Sequence, residues 1–237
     1  MTRFFQYQLR TTDVPAARAF YSAVFGNAES NIIQLHEHSI ARGARPHWLG
    51  YLGVADVDPA VSAFVARGAS PLGPKLVNPE GLEFAVMRDP GGAVVALAKP
   101  APRPVDSAGA AARAQSQTDV AWHLLHTADV ERAKANYGEL FGWALKERLD
   151  LGNLGVFHPF AWQSGEAPVG AMSDVADRRG VHPHWLFHVR VPALEPALEA
   201  VHARGGVVVA RVLVPNGDHI AVCDDAQGAA FALRTTR

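Results

Sequence analysis

The alternation of apolar and polar positions predicts a strand followed by a helix near the start of the chain. Residues 5–11 alternate with the two-residue period of a half-buried strand. The next segment repeats its apolar residues with helical spacing. Asp13 is placed to cap this helix and Gly26 to end it. The predicted buried face consists of Ala17, Phe20, Tyr21, Val24 and Phe25.

The same pattern returns later in the chain. Phe4–Gly26 comes back as Ala121–Gly142, with Asp129 at the place of Asp13. Two further segments also recur. His47–Val54 matches His184–Val191, and Asp89–Leu97 matches Asp225–Leu233. Repeats of this length indicate two related halves, each built from two strand-helix-strand modules.

The repeat and the composition between its copies predict two domains. We place a first domain at 1–99, a linker at 100–117 and a second domain at 118–237, because the middle segment is rich in Pro, Ala and Ser without a helical period. The offset between matching residues grows from 116 at the first helix to 137 at the His-Trp strand. The second half therefore has room for about two more strands, and the first domain should be short by one hairpin.

The composition of the chain argues against nucleic acids and membranes as partners. The chain has 237 residues and a formal net charge of −1, with no basic block, so we expect no nucleic-acid partner. It has no apolar run of the ~20 residues that span a membrane and no signal-peptide core, so we expect a cytoplasmic protein without a membrane partner. The single Cys223 excludes an intramolecular disulfide and is expected to be buried and inert.

The repeated motifs resemble the vicinal oxygen chelate superfamily, also called the glyoxalase/bleomycin resistance/dioxygenase superfamily. The resemblance is carried by the unit D-x-x-x-A-x-x-F-Y-x-x-x-F-G at 13–26, by its copy at 129–142 with Asn136 in place of Phe, and by the H-W-L strands. The endings D-P-G-G-A-V-V-A-L and D-A-Q-G-A-A-F-A-L add to it. The chain is most similar to a tandem two-domain branch of hydroxylase-like and antigen-like proteins.

The resemblance implies an α+β fold. Four βαβββ-type modules would pair into two half-open, cup-shaped mixed sheets with helices outside, and a small-molecule ligand would lie in the concavity. The two halves should form an internal pseudo-dimer, because a repeat can replace the two-fold interface of single-domain relatives. The sequence leaves open whether a further homodimer forms. It also leaves the activity open, because one fold hosts many chemistries.

The resemblance further implies where metal-dependent relatives carry His or Glu ligands. A non-haem iron site uses two His and a carboxylate, and zinc uses three or four such ligands. Of the residues at these positions in this chain, only Gln6 could act as a metal ligand, and its amide oxygen is a weak one. We therefore predict no metal cofactor, with a divalent metal ion at a shifted position as the alternative. The residues at the implied positions are Gln6, Leu49, Ala96, Trp122, Leu186 and Ala232.

Strand alternation predicts which polar side chains face the two cups. If the side chain of Gln6 points into the cup, the side chains of Gln8 and Arg10 on the same strand also point into it. Inward arginines suit a carboxylate or phosphate on a ligand, although solvated residues without a ligand remain the alternative. The predicted substrate-binding residues are Gln6, Gln8, Arg10, Tyr51, Trp122 and Arg190.

Histidines supply the candidate catalytic groups. His126 and His188 fall on predicted cup strands, and imidazole suits acid–base work near neutral pH. With His219 they could instead hold a metal ion at a shifted position. His36 and His38 would share one face if their segment were a strand, which could be a zinc pair or a polar edge. Asp224-Asp225 is more typical of a turn than of a carboxylate pair.

Two function hypotheses follow from these residues. The first is a metal-free binder of a small polar or anionic molecule, of a sequestering, resistance or accessory kind. The second is an enzyme, a lyase, dioxygenase or hydroxylase, that uses a metal at a non-standard site or histidine acid–base chemistry in the second domain. A third possibility is that the first domain is only a scaffold. The sequence does not decide whether the chain is an enzyme.

Overall fold

The two helices of the long repeat begin and end close to the predicted positions. The computed structural model describes residues 2–26, 31–100, 119–178 and 181–235, so nearly all of the predicted linker lies outside the described residues. None of the described helices is long and apolar enough to span a membrane. The helices are α1 Val14–Phe25, α2 Glu37–Ala41, α3 Val57–Ala66, α4 Val130–Phe141, α5 Val175–Arg178 and α6 Leu194–Ala203, with a 3₁₀ turn at Gly152–Leu154.

The first sheet is built from strands of the first half. Its order is β2-β1-β3-β7-β6-β4, and β5 also pairs with β6. Two of its pairs, β1 with β2 and β3 with β7, are parallel, whereas β6 and β7 are antiparallel. The strands are β1 Phe4–Thr11, β2 Asn31–Gln34, β3 His47–Gly53, β4 Ser70–Pro71, β5 Leu76–Val77, β6 Glu83–Arg88 and β7 Val94–Ala98.

The second sheet is built from strands of the second half. Its order is β10-β11-β12-β8-β13-β16-β15-β14, and β9 also pairs with β11. The pairs β8 with β12 and β13 with β16 are parallel, as their counterparts are in the first sheet. The strands are β8 Val120–His126, β9 Ala144–Leu145, β10 Leu149–Asp150, β11 Val156–Ala161, β12 Gly170–Ser173, β13 His184–Arg190, β14 Val207–Leu213, β15 His219–Asp224 and β16 Ala230–Thr235.

The two open mixed sheets and their helices confirm the predicted α+β class. Between the first helix and the His-Trp strand, the described residues of the first half hold β2 and α2. The corresponding segment of the second half holds β9–β12 and α5. The additional strands lie where the change of offset left room for them.

The predicted helix caps are confirmed in both copies of the repeat. Asp13 accepts a hydrogen bond from the Ala16 N–H at 2.9 Å, and Asp129 accepts one from the Arg132 N–H at the same distance. Each cap satisfies a donor that the first helical turn leaves free. Both helices end at a glycine with positive φ, Gly26 at 85° and Gly142 at 74°.

One local prediction was wrong. The segment that contains His36 and His38 is not a strand, because His36 caps the short helix α2 by accepting the His38 N–H at 3.1 Å. The two imidazoles therefore do not share a strand face, and the proposed zinc pair loses its geometric basis.

The contacts divide the chain into two compact units, each of which combines parts of both halves. Unit one holds the described residues of 1–6, 50–103 and 123–185, and unit two those of 7–49, 104–122 and 186–237. A helix of one half thus packs in the same unit as strands of the other half. The predicted division into domains at 1–99 and 118–237 stays a prediction.

Unit two contains a buried chain of hydrogen bonds that joins the halves. The Trp48 indole N–H donates to the Tyr21 hydroxyl at 3.0 Å, and that hydroxyl donates to Asp225 Oδ2 at 2.9 Å. Asp225 Oδ1 accepts the backbone N–H groups of Gln227 and Ala229, which closes the D-A-Q-G turn. Asp225 thus acts as a turn residue, as predicted, and it also binds a helix from the other half.

Unit one repeats this arrangement with the halves exchanged. The Trp185 indole N–H lies 3.4 Å from the Tyr137 hydroxyl, which donates to Asp89 Oδ2 at 3.0 Å. Asp89 Oδ1 accepts the Ala93 N–H at 2.9 Å in the D-P-G-G turn. Burial raises the pKa of Asp89, and its hydrogen bonds oppose that shift. The helix tyrosine and the turn aspartate of the repeat are therefore partners across halves.

The second copy of the repeated helix buries a polar side chain. Asn136 lies on α4 at the place of Phe20, is 3% exposed, and its Nδ2 has no hydrogen-bond partner in the described part of the chain. An unpaired buried amide donor costs about 1–3 kcal/mol. The second copy of the helix thus carries a local cost that the first copy avoids.

We predict that the hydroxyl of Tyr21 and the carboxylate of Asp225 are energetically coupled. Tyr21→Phe removes a donor from a buried carboxylate, so we expect a loss of about 1–3 kcal/mol in the free energy of unfolding. Urea unfolding of Tyr21→Phe, Asp225→Asn and the double variant should give a coupling energy of at least about 0.5 kcal/mol. The matched control pairs Tyr21→Phe with Asp89→Asn, which share no partner and should be additive. Equal coupling in both pairs would contradict the assignment.

We also predict that Asn136→Leu stabilises the protein. The substitution removes the unpaired donor and adds a better helix former of similar size, so the free energy of unfolding should rise by about 1 kcal/mol. Asn136→Asp, which buries a charge at the same place, should lower it. Chemical denaturation of the two variants beside the parent measures both changes, and a less stable Leu variant would show that the Asn136 amide has a stabilising contact.

Candidate functional site

One face of the second sheet carries the polar residues of interest in unit two. Phe231 of β16 packs against the rings of Phe20 and Tyr21 on helix α1, so this side of the strand faces a helix. Because side chains alternate along a strand, Ala232 and Arg234 lie on the opposite face. We call that opposite face the cup face. His188 is the parallel register partner of Ala232, and Arg190 that of Arg234, so both belong to it.

An arginine lies against the tryptophan of the cup face. The Cζ atom of Arg234 is 4.9 Å from the centre of the Trp122 ring, which is cation–π contact distance. The Arg234 Nε donates to Asp218 Oδ2 at 2.8 Å, and its Nη2 lies 2.5 Å from the same oxygen. Asn216 Nδ2 donates to that oxygen as well, at 3.1 Å. The guanidinium is therefore fixed from two sides.

The Arg234–Asp218 pair is largely removed from solvent. The side chains are 12% and 8% exposed, respectively. Burial raises the pKa of Asp218, but the hydrogen bonds from Arg234 and Asn216 and the charges of Arg234 and Arg190 outweigh burial, so the net shift is downward. Asp218 therefore stays ionised at neutral pH and holds a charged guanidinium in place.

Arg190 is the more exposed cation of this face. Its Nε donates to Asp119 Oδ2 at 3.1 Å, with side chains that are 48% and 66% exposed. A pair that is exposed to this extent contributes little and exchanges easily. Beside it lies a shallow cavity of about 280 Å³, lined by Asp119, Arg190, Val191 and Pro192.

The histidines of unit two do not form the shifted metal site. His188 is 3% exposed and lies on the cup face with Ala232. His219 is exposed and pairs with Thr235, the neighbour of Arg234, so its side chain points to the other face of the sheet. The grouping of His188 with His219 is therefore excluded by strand alternation.

The first sheet contributes two of the predicted binding residues to unit two. Gln8 is buried and its Nε2 donates to Asn31 Oδ1 at 3.2 Å, the residue that it faces across β1 and β2. Arg10 follows on the same face beside Ile33 and is half-buried. The alternation that was predicted for β1 is present, since Leu9 and Thr11 on its other face are fully buried.

The other two predicted residues of the first sheet lie in unit one. Gln6 is half-buried on β1. Tyr51 is 2% exposed, and its ring packs 5.5 Å from that of Phe84, with Ala96 as its register partner on β7. The position of Tyr51 is that of a core residue.

Unit one also contains a cluster of three histidines. The His126 ring is 5.0 Å from that of His184, which is 4.8 Å from that of His182. The Nδ1 of His184 lies 2.7 Å from the His182 carbonyl oxygen, which fixes a proton on that nitrogen. The Nδ1 of His126 is buried and has no hydrogen-bond partner in the described residues.

Burial keeps the imidazoles of His126 and His184 neutral. The pKa of His126 falls to about 3 because of burial and because of the charges of His184 and His182. Burial also lowers the pKa of His184 to about 4. His123 lies between aromatic rings, stacked 5.2 Å from Phe4, and burial lowers its pKa to about 4. Such weakly basic groups are poorly matched to proton abstraction near neutral pH.

Sequence reasoning missed Arg234 and Asp218. A usable signal was present, because Arg234 follows Ala232 by two residues and shares its face. The repeat did not help, since its matched ending stops at Leu233. Asp218 lies in a turn whose partner can be identified only in three dimensions.

Known proteins are similar to this chain in sequence and in fold. No protein-family model matches the chain. It is 26% identical over 247 residues to "Putative glyoxylase CFP32" from Mycobacterium bovis and from Mycobacterium tuberculosis, across 95% of this chain and 91% of each relative. The fold matches the Mn(II)-bound glyoxalase of Novosphingobium aromaticivorans with a TM-score of 0.61 and 12% identity, over 99% of this chain and 83% of that one.

A second solved structure extends the same result. The fold matches the 2,3-dioxygenase LapB of Pseudomonas sp. KL28 with a TM-score of 0.59 and 15% identity, over 99% of this chain and 92% of that one. Together with the repeated motifs and the two mixed sheets, these matches agree with the resemblance found in the sequence. The chain has the fold of these glyoxalase and dioxygenase structures.

The residues at the metal-ligand positions that the resemblance implies do not fit a metal ion. Leu49, Ala96, Leu186 and Ala232 have no donor atoms in their side chains and are at most 1% exposed. Trp122 carries the Arg234 guanidinium on its ring. Among the described residues, no three His, Cys, Asp or Glu side chains are grouped so that they could hold a metal ion.

We predict that the buried histidines make the protein sensitive to acid. An imidazole with a pKa near 6.5 in the unfolded chain and about 3 in the folded chain contributes its full stability above pH 6.5. That stability is lost as the pH falls toward 3, by about 1.4 kcal/mol per pH unit and group. Urea unfolding between pH 7.5 and 4.5 should therefore show a shallower decline for His126→Gln than for the parent.

Asn136→Leu provides the control for this measurement, because it changes no titratable group. It should leave the pH dependence of the free energy of unfolding unchanged. Identical slopes for His126→Gln and the parent would show that His126 takes up its proton in the folded protein.

Proposed function

We propose that this chain binds a small polar or anionic molecule on the cup face of its second sheet, and that it does so without the metal ion of metal-dependent superfamily members. The observation that carries the proposal is the pair of arginines on neighbouring strands. Arg190 and Arg234 are register partners on one face, where two like charges repel unless anions lie between or beside them.

The aspartates of this face offset that repulsion unequally. Asp218 is buried against Arg234, whereas Asp119 and Arg190 are both exposed. A carboxylate or phosphate from solution can replace Asp119 at Arg190 at little cost, because an exposed pair is worth about 0–1 kcal/mol. The adjacent cavity, at about 280 Å³, suits a ligand at the small end of the usual range.

The first sheet gives weaker support for a second binding site. Gln8 is engaged with Asn31, and Tyr51 is buried against Phe84. Gln6 and Arg10 are half-buried and remain proposed ligand contacts. This difference favours the second half as the part that binds the ligand, with the first half as its scaffold.

The combination of halves within each unit supports the proposed internal pseudo-dimer. In both units, a tyrosine of one half binds an aspartate of the other half. Such exchange lets the repeat bury the surfaces that two separate chains would bury in a dimer.

An enzyme is the alternative proposal, and the histidine cluster favours it. His126 has a buried nitrogen that has no hydrogen-bond partner among the described residues, and it lies beside His184 in unit one. A lyase, dioxygenase or hydroxylase could use these imidazoles, or His188 on the cup face, with a substrate or a metal ion at a non-standard position. The low pKa of His126 weakens the acid–base form of this alternative.

We predict that anionic probes bind and that Arg190 is required. Titration calorimetry of the protein with lactate, benzoate and glycerol 3-phosphate should show saturable binding of at least one probe. Arg190→Met should weaken that binding by about tenfold or more, since a charge-assisted hydrogen bond contributes about 1.5–3 kcal/mol. Arg211→Met, which changes an exposed arginine of β14 that pairs with Glu195, is the matched control and should retain the parent affinity.

Two results would count against the proposal. The first is the absence of binding below ~1 mM for every probe, which corresponds to less than about 4 kcal/mol of binding free energy. The second is a metal ion that survives dialysis and disappears in His126→Gln, which would favour the enzyme alternative. Native mass spectrometry with elemental analysis of the purified protein reports both the metal and any retained ligand.

A further inference from the structure

We propose that the Arg234 guanidinium supplies the positive charge on the cup face that a metal ion supplies in metal-dependent relatives. The ligand is a small carboxylate, and the N–H groups of Arg234 that do not contact Asp218 hold it. This inference rests on the proposed function and names the recognising group and the ligand class. It begins from the disagreement between the superfamily's ligand positions and the residues that occupy them here.

The guanidinium lies against one of those positions. Trp122 stands where a first-strand ligand is implied, and the Arg234 Cζ is 4.9 Å from the centre of its ring. Ala232, at the implied glutamate position, is two residues from Arg234 on the same face. A fixed cation is thus present beside the place where the relatives' ligands converge.

The surroundings of Arg234 prepare it to bind. Its Nε and Nη2 are both directed at Asp218 Oδ2, so one edge of the planar group is occupied. Asp218 is itself held in its turn, since its N–H donates to Asn216 Oδ1 at 3.2 Å and its carboxylate accepts from Asn216 Nδ2. An arginine fixed in this way loses little freedom on binding a ligand.

The other edge of the guanidinium remains available. Among the described residues, the side-chain hydrogen bonds and ion pairs of Arg234 all go to Asp218, which leaves Nη1 and the second proton of Nη2. Two parallel N–H groups on one edge match the two oxygen atoms of a carboxylate. Burying a paired charge is seldom the most stable choice for a fold, which agrees with a role in recognition.

Neighbouring charges favour a monoanion. Arg190 and Arg234 contribute two positive charges to this face, and Asp119 and Asp218 contribute two negative ones. A ligand carboxylate that displaces the exposed Asp119 from Arg190 restores the same balance, whereas a dianion would leave excess negative charge beside Asp218. The site therefore suits a small carboxylate better than a phosphate ester.

Calorimetric titration with benzoate, and with benzyl alcohol as a neutral probe of similar shape, tests this inference. Benzoate should bind the parent protein, and benzyl alcohol should bind at least tenfold more weakly. Arg234→Met should weaken benzoate binding at least tenfold, and Arg234→Lys should also weaken it, because an ammonium lacks the planar pair of donors. The control Arg211→Met, an arginine of β14 that pairs with Glu195, should bind as the parent does.

A second variant protects the test against unfolding. Arg234→Met leaves Asp218 buried without its partner, so the variant Arg234→Met/Asp218→Asn removes both charges together. It should fold and should show the same loss of benzoate binding. Benzoate affinity within twofold of the parent in the folded double variant would overturn the role of Arg234.

The outcomes separate this inference from the function on which it rests. If benzoate binding requires Arg190 but not Arg234, the proposed function stands and the present inference fails. If no anionic probe binds, both fail. Addition of Mn²⁺ should leave benzoate affinity unchanged, and a tenfold gain in affinity with Mn²⁺ would show that a metal ion, not the guanidinium, carries the charge.

Discussion

The fold depends on a buried hydrogen bond between a helix tyrosine of one half and a turn aspartate of the other. In unit two the pair is Tyr21 with Asp225, and in unit one it is Tyr137 with Asp89. Each aspartate uses its second oxygen to close its own turn, so the turn and the helix position are fixed by one carboxylate. An unpaired buried carboxylate is costly, and neither half alone supplies the hydroxyl that its turn aspartate uses. The described contacts therefore make each half the completing partner of the other, which explains why helix, His-Trp strand and turn recur together.

Much of this architecture could be predicted from local chemistry. A cap residue, an apolar face and a terminal glycine identify α1, because all three act within a few residues of one another. The partner of Tyr21 could not be found in this way, since Asp225 is 204 residues distant in the sequence. His36 shows the opposite limit. Its segment is β-prone, yet one imidazole nitrogen accepts the His38 N–H and begins a helix instead. A single local hydrogen bond there outweighs residue propensity.

The candidate site could also be predicted only in part, because a local pattern does not identify the partners of a side chain. Strand alternation groups side chains by face, but it does not distinguish a ligand contact from a core residue. Tyr51 illustrates this, because its place on the predicted face agrees with its near-complete burial against Phe84. Arg234 illustrates the converse. The resemblance directs attention to the position of Ala232, where relatives carry a ligand, and the informative residue is the next one on that face.

The two polar regions of the second half follow opposite electrostatic rules. In unit one, burial lowers the pKa of His126 and of His184 and keeps both imidazoles neutral. In unit two, Asp218 keeps Arg234 charged although both are buried, because bond geometry and a second donor from Asn216 offset the loss of water. A neutral imidazole needs no counter-ion, but a charged guanidinium does. Among the described residues, Asp218 is the counter-ion of Arg234, and it contacts the edge formed by Nε and Nη2. The remaining edge is the feature of this face that a ligand carboxylate can complete.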